Sequence, residues 1–105
     1  MEIIIWNQKT EKFIKDLHRD TYVRVLKTIR LFMELGNKIT MPDSKSLGRG
    51  LFELRTVGRS HVRILYVYHK GKAYIVHGFV KKAWKISVKD IEYARHIQKE
   101  VMEVA

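Results

Sequence analysis

Residues 61–81 read HVRILYVYHKGKAYIVHGFVK, and this stretch decides the fold. Two runs rich in β-branched and aromatic residues, 61–69 and 72–81, flank the dipeptide Lys70-Gly71. Strand-forming runs joined by two turn residues predict a β-hairpin, because glycine accepts the positive φ of a tight turn. Residues 51–56 have the same character. The sequence therefore predicts a three-stranded antiparallel meander.

The segments before the meander predict a further strand and two helices. Residues 2–6 include three consecutive isoleucines, which suit a strand buried on both faces. Residues 8–36 show apolar positions at helical spacing, with Asn7 as a cap and Gly36 as the end. We expect a helical hairpin or one bent helix there. Residues 37–49, which contain the sole proline, predict a loop.

A C-terminal helix is predicted after the meander. Ser87 and Asp90 match the capping box, in which a serine and an acid three positions later bind each other's backbone amides. The helix that follows has a thin apolar face, made by Ile91, Ala94, Gln98 and Val101. A narrow face predicts packing at a sheet edge or on a partner rather than in the centre of the core.

The predicted order of elements is β-α-α-β-β-β-α. This order indicates an α+β fold, with a small, mainly antiparallel sheet packed against an N-terminal helical hairpin and followed by a C-terminal helix. Since 105 residues bury only one core of useful size, residues 1–105 are expected to form a single domain. The chain has no cysteine, and its first apolar run is too short for a signal peptide or a membrane span. We expect a cytoplasmic protein without a membrane partner.

Positive charge is concentrated in the middle of the chain. The net charge is +10, and residues 46–89 hold ten lysines and arginines against one acid, a net +9 within that segment. An even mixture of charges would indicate an ordinary solvated surface. This uneven distribution favours a polyanionic partner, nucleic acid above all.

The predicted hairpin places Arg63 beside a glycine. If Lys70-Gly71 is a two-residue turn, Arg63 lies opposite Gly78. Its guanidinium group is then expected to be exposed at the end of an apolar row, next to a position with room for a ligand. In the alternative interpretation, Arg63 ends a strand in solvent and Gly78 marks a bulge.

Other cations extend this candidate site. Arg55 and Arg63 share a face only in one of two registers across residues 57–60, and Glu53 is either a salt-bridge partner of Arg55 or a general base. Trp84 either stacks on an unpaired base or covers the sheet edge. Four lysines surround Trp84 and suit phosphate groups: Lys81, Lys82, Lys85 and Lys89.

The sequence offers little for a metal. A two-metal nuclease needs several carboxylates, and residues 46–89 hold one. The five histidines lack a ligand spacing and are expected to be surface or core residues: His18, His61, His69, His77 and His96. We therefore expect no metal and no cofactor. The chemistry that remains is RNA cleavage in which the 2′-hydroxyl attacks the phosphate while cations stabilise the transition state.

Four segments, in this order, resemble the RelE/ParE toxin superfamily, in particular its HigB-like, phage-derived branch. They are KSLGRGLFELR at residues 45–55, VRILY at 62–66, HGFVKK at 77–82 and DIEYA at 90–94. The resemblance spans nearly the whole chain. It implies an endoribonuclease toxin, or mRNA interferase, that cleaves messenger RNA, usually on the ribosome, and is neutralised by a helix-turn-helix, HigA-like antitoxin.

The resemblance also implies that Arg63, Lys81 and Lys82 act in catalysis, and we add Arg55 to them from its position. It does not assign the residue that transfers the proton. The candidate RNA-binding residues around this set are Lys85, Trp84, Lys89, Arg49 and Arg59.

Two other functions are compatible with the same fold. A ParE-like protein inhibits DNA gyrase by binding and has no need of a cation cluster around an open strand position. A non-catalytic RNA-binding domain would keep the charge but gives no reason to confine Arg63 beside Gly78. Both remain alternatives to RNA cleavage.

Overall fold

A computed structural model describes residues 1–56 and 61–105 of the chain. Its elements in chain order are β1 (Ile3–Ile5), α1 (Gln8–Lys15), α2 (Arg19–Leu35), β2 (Ser44–Gly48), β3 (Leu51–Arg55), β4 (Val62–His69), β5 (Lys72–Val80) and α3 (Val88–Val104), with a short 3₁₀ turn at Gly36–Lys38 after α2. The predicted helical hairpin is confirmed. Asn7 caps α1 by accepting a hydrogen bond from the amide of Thr10, and α2 ends at Gly36.

The strands form one sheet in the order β1-β5-β4-β3-β2. β1 pairs with β5 in parallel, and the other neighbours are antiparallel. The α+β class and the mainly antiparallel sheet are therefore confirmed. The sheet has one strand more than expected, because the predicted loop over 37–49 contains β2.

β2 was not predicted from the sequence because it is an edge strand. It reads SKSLG, and most of its side chains are exposed. Such a strand is held by the backbone ladder to β3 and needs no apolar alternation of its own. Its exposed Lys45 and Ser46 also discourage pairing with another chain.

The sheet is covered on both faces. α1 and α2 cover one face through Ile14, Val25 and Phe32, which pack on Ile64 and Tyr66. α3 covers the other face, where its buried residues Ala94, Ile97 and Val101 meet a second apolar cluster of sheet residues: Leu51, Leu65, Val67, Tyr74, Val76 and Phe79. The sheet is thus the middle of three layers.

The expected position of α3 at a sheet edge or on a partner is wrong. The helix lies on the face formed by β4 and β5. Ile97 takes the core position, while Gln98 points to the turn before β3 and donates to the carbonyl of Arg49 at 2.8 Å. A small Ala94 at the centre of the face lets the helix approach closely, so three buried residues suffice.

The central hairpin has the predicted turn and a shifted register. Lys70 and Gly71 both have positive φ, 51° and 79°, as a two-residue hairpin turn requires. The predicted pairing holds as far as Tyr66 opposite Ile75, after which Leu65 lies opposite His77. Val76 is therefore an extra residue, a β-bulge, and every pair beyond it is displaced by one position.

Candidate functional site

Arg63 lies in β4 on the same face of the sheet as α3. Because of the bulge, its partner is Phe79, and Gly78 lies opposite Ile64. The predicted pairing of Arg63 with Gly78 is therefore wrong. Arg55 is directly opposite Arg63 on the other side, so the two arginines share a face and the open question of register is answered.

Gly78 does not provide space for a ligand. A Cβ atom added there would lie 2.8 Å from Cδ2 of Phe13 and 3.2 Å from Cδ1 of Ile64. The glycine is needed because the Phe13 ring of α1 packs directly on the backbone of β5. The predicted opening next to Arg63 is thus occupied by the protein's own core.

Glu53 holds the two arginines together. Its Oε1 is 3.4 Å from Nε of Arg55 and its Oε2 is 3.8 Å from Nε of Arg63. The residue is only 3% exposed. A buried carboxylate between two guanidinium groups compensates part of their charge and fixes their orientation. This geometry is that of the salt-bridge partner rather than of a general base.

Arg63 is buried, with 6% exposure, and not exposed as expected. Its Nη1 donates to the carbonyl oxygens of Val62 at 3.2 Å and Thr56 at 3.5 Å. Burial lowers the pKa of Arg63, Glu53 opposes this shift, and Arg55 adds to it. Arginine stays cationic all the same. Among the described residues, its buried Nε has no hydrogen-bond partner.

A pocket of about 420 Å³ opens beside Arg63, which we call the cationic pocket. Its lining residues are His61, Arg63, Lys81, Lys82, Ala83 and Trp84. The structure therefore brings together the arginine of β4 and the basic pair that follows β5. No acid lies among these lining residues, so an anion that enters meets only positive or neutral side chains.

Trp84 is 96% exposed and contributes nothing to the core. It does not cover the sheet edge, which was one of its two interpretations. An indole so fully in contact with water costs free energy unless something covers it. In a pocket lined by cations, its free face is available to stack on a nucleobase.

His61 is a site residue that the sequence did not single out. It precedes β4 and lines the cationic pocket with Arg63. The signal that was available is its position two residues before Arg63, since alternate residues of an extended strand point to the same side. Imidazole is the side chain best suited to exchange protons near neutral pH.

A second pocket of about 350 Å³ adjoins the cationic pocket at the loop between β5 and α3. We call it the mixed pocket, because its lining combines apolar, basic and acidic residues: Phe79, Val80, Lys81, Lys82, Ala83, Lys85, Ile86, Ser87 and Asp90. Lys81, Lys82 and Ala83 belong to both pockets. The predicted residue Lys85 is found here.

Asp90 is fixed at the border of the mixed pocket. Its Oδ1 accepts a hydrogen bond from Nε2 of His77 at 2.7 Å, and its Oδ2 accepts one from Ser87 Oγ at 2.7 Å. Burial raises the pKa of Asp90, but the hydrogen bonds from His77 and Ser87 outweigh it, so that the pKa lies below its usual value. The carboxylate is ionised at neutral pH. Ser87 is confirmed as the cap of α3, since it also accepts from the amide of Asp90, while the acid of the predicted capping box binds the Ser87 hydroxyl instead of its amide.

The remaining predicted site residues lie outside both pockets. Arg55 is a neighbour of Arg63 but does not line the cationic pocket. Lys89 is exposed in the first turn of α3. Arg49 is in the turn between β2 and β3 and is separated from Arg55 by the length of β3, whose five residues span roughly 16 Å. Arg59 lies outside the described residues.

The part of the chain that the structure describes shows no group of three or more histidine, cysteine or acidic residues placed to hold a metal ion. Within the same residues, every helix is too short or too polar to cross a lipid bilayer.

Fold and site together define a class: a small α+β protein whose three-layered core carries a cationic pocket at one end of its sheet. The chain belongs to the family described as phage derived protein Gp49-like (DUF891), whose model matches residues 12–99. The match runs from α1 into α3 and includes the residues that line both pockets. A comparison with curated proteins returned no significant match.

Proposed function

We propose that this protein is the toxin of a type II toxin-antitoxin system and acts as an endoribonuclease on messenger RNA. One observation carries the proposal: Arg63, Lys81 and Lys82 converge on a single cationic pocket, together with an exposed tryptophan. Membership of the Gp49-like family supports it, because that family is phage-derived, as is the HigB-like branch that the sequence resembles.

The proposed reaction is an internal transfer of the phosphodiester. The 2′-oxygen attacks the phosphorus, its proton passes to a base, and the bond to the 5′-oxygen breaks as that oxygen receives a proton. The products are a 2′,3′-cyclic phosphate and a 5′-hydroxyl. Arg63 and Lys82 stabilise the additional negative charge on the phosphate in the transition state. No step of this scheme needs a metal ion.

His61 is our candidate for the proton transfer. It lines the same pocket as Arg63, and Glu53, the other candidate, is engaged by two arginines. Trp84 stacks on a base next to the reacting phosphate and thereby orients the ribose. In this proposal the ribosome presents the messenger RNA to the toxin. A helix-turn-helix antitoxin binds the toxin and keeps it inactive.

Cleavage of messenger RNA in cells and in translation extracts tests the proposal, with primer extension as the readout. We expect cuts with the wild type, and a rate lower by roughly 10²-fold in Arg63→Lys and Lys82→Ala, since each change removes an oriented donor to the transition state. His61→Ala should also lose activity. Lys27→Ala, which removes an exposed lysine of α2 on the opposite face of the sheet, is the matched control and should cleave normally.

Arg63 needs a separate folding control because it is buried against Glu53. Circular dichroism and a thermal melt of each variant supply it. Wild-type cleavage by folded Arg63→Lys and Lys82→Ala would remove the cationic pocket from the mechanism. RNA binding without cleavage would indicate a non-catalytic domain, and inhibition of gyrase supercoiling without RNA binding would indicate a ParE-like role.

A further inference from the structure

The two adjoining pockets at the loop after β5 differ in charge. The cationic pocket is lined by His61, Arg63 and lysines without an acid. The mixed pocket is also lined by lysines (Lys81, Lys82 and Lys85), but it adds the ionised Asp90, which repels a phosphate, and it has apolar walls. A phosphate therefore prefers the cationic pocket, and a flat, uncharged group is the better occupant of the mixed pocket.

The walls of the mixed pocket suit an aromatic ring system. Phe79, Ile86 and Ala83 provide apolar surface, while Lys85 lies at the border as a cation. A volume of about 350 Å³ is within the range of pockets that hold small ligands. Because Lys81 and Lys82 line both pockets, an RNA strand with one phosphate in the cationic pocket passes directly by the mixed pocket.

Asp90 retains hydrogen-bonding capacity for a ligand. An ionised carboxylate offers about four acceptor sites, and His77 and Ser87 occupy one on each oxygen. Its side chain is 28% exposed, so the remaining sites are accessible. The two bonds also prevent the carboxylate from turning away. A rigid carboxylate accepts hydrogen bonds from the N–H groups of a base edge, so it favours a base with an amino group over the same base without that group.

We infer that the mixed pocket binds a nucleobase next to the cleaved phosphodiester, and that Asp90 accepts a hydrogen bond from an exocyclic amino group of that base, which adenine, cytosine and guanine carry. This inference rests on the proposed function for its substrate, RNA, and adds the source of a sequence preference. Asp90 is here a specificity-determining residue, and Arg63 remains the residue that contacts the phosphate.

Binding of short, fully 2′-O-methylated RNA tests the inference separately from cleavage, because these oligonucleotides have no attacking hydroxyl. One position at a time in an oligouridine is replaced by adenine or by purine, which lacks the amino group, and affinity is measured by fluorescence anisotropy. We expect adenine to bind roughly 10-fold more tightly than purine at one position, as for a hydrogen bond to a charged acceptor.

The Asp90→Asn variant should lose this discrimination. Glu92→Gln makes the same acid-to-amide change at an exposed position of α3 and should keep it. If Asp90→Asn does not fold, amide chemical shifts of the wild type decide instead: Ser87 and Asp90 should move more with the adenine oligonucleotide than with the purine one.

Each outcome distinguishes the inference from the proposed function. Equal affinity for adenine and purine at every position, or discrimination that persists in folded Asp90→Asn, overturns the inference even if unmodified RNA is cleaved. Discrimination that depends on Asp90, in a protein that cleaves no RNA, upholds the inference and refutes the nuclease. Absence of all RNA binding overturns both.

Discussion

The structural role of Gly78 depends on Phe13, a neighbour from a distant segment of the chain. The glycine was expected to leave room for a ligand beside Arg63, but the ring of Phe13 lies on it. No property of residues 61–81 alone reveals that contact. The site is formed instead by the loop after β5, on the opposite face of the sheet.

Gly78→Ala is expected to destabilise the protein by about 1–3 kcal/mol, because the new methyl group would overlap Phe13 and displace it. Urea denaturation measures the change in free energy of unfolding. In a Phe13→Leu background the cost of Gly78→Ala should be smaller, since leucine lacks the ring that is in conflict. A fully tolerated alanine in the wild type would contradict this packing.

Asp90 should make folding stability depend on pH. Its pKa is lower in the folded protein than the ordinary value of 3.8, so its stabilising effect is present above that value and is lost as the pH falls through the folded pKa. Asp90→Asn should therefore cost about 1–2 kcal/mol at pH 7. In urea titrations, the difference between wild type and variant should shrink in the acid range below pH 3.8. A difference that is constant with pH would refute the assignment.

At the scale of elements, α3 and the turn between β2 and β3 are joined by polar contacts. The Arg95 guanidinium group donates from Nη1 to the carbonyl oxygens of Gly48 at 3.0 Å and Arg49 at 3.3 Å, and from Nη2 to that of Leu47 at 3.3 Å. Arg49 has a positive φ of 47°, which is unfavourable for a residue with a side chain. Arg95 thus binds a turn whose backbone conformation the local sequence does not favour.

Arg95→Ala should lower stability by about 1–2 kcal/mol, because three carbonyl oxygens lose a charged donor. Hydrogen exchange should locate the effect in β2 and its turn. Lys99→Ala, an exposed neighbour on the same helix, is the control and should change little. Unchanged protection of β2 in Arg95→Ala would show that the turn does not need this contact.

The bulge in β5 is the element-level feature that most alters the site. Counting back from Lys70-Gly71 predicts the register correctly for the pairs nearest the turn and wrongly beyond Val76. Such a count assumes that each residue of one strand pairs with one residue of the other. A bulge adds an unpaired residue, and the types of the side chains nearby do not reveal it. As a result Arg63 faces Phe79, and both belong to the α3 side of the sheet.

Over the whole molecule, part of the positive charge lies at the end of the sheet that carries the two pockets, while Arg49, Lys70 and Lys72 lie at the other end. Binding of RNA should therefore weaken steeply with salt. In the proposed function, the four lysines and arginines that line the two pockets are the phosphate contacts: Arg63, Lys81, Lys82 and Lys85. Neutralising that many phosphates of a single strand gives a slope of about −3 in a plot of log affinity against log salt.

Lys82→Ala should reduce this slope by about 0.7, while Lys27→Ala on the opposite face of the sheet should leave it unchanged. Anisotropy titrations from low to physiological salt measure both. A slope near zero for the wild type would mean that the cations do not contact phosphates.

The sequence by itself determined the class of fold, the central hairpin with its turn, the caps of α1 and α3, and the concentration of charge in residues 46–89. These features depend on the local hydrophobic periodicity, on the backbone preferences of a few residues and on the number of charged residues. All three can be determined from the linear sequence. Only the tertiary structure decided the edge strand β2, the position of α3 on the sheet, the role of Gly78 and the burial of Arg63. Each of these depends on which distant residue lies opposite, because packing and register are properties of pairs of segments and not of either segment alone.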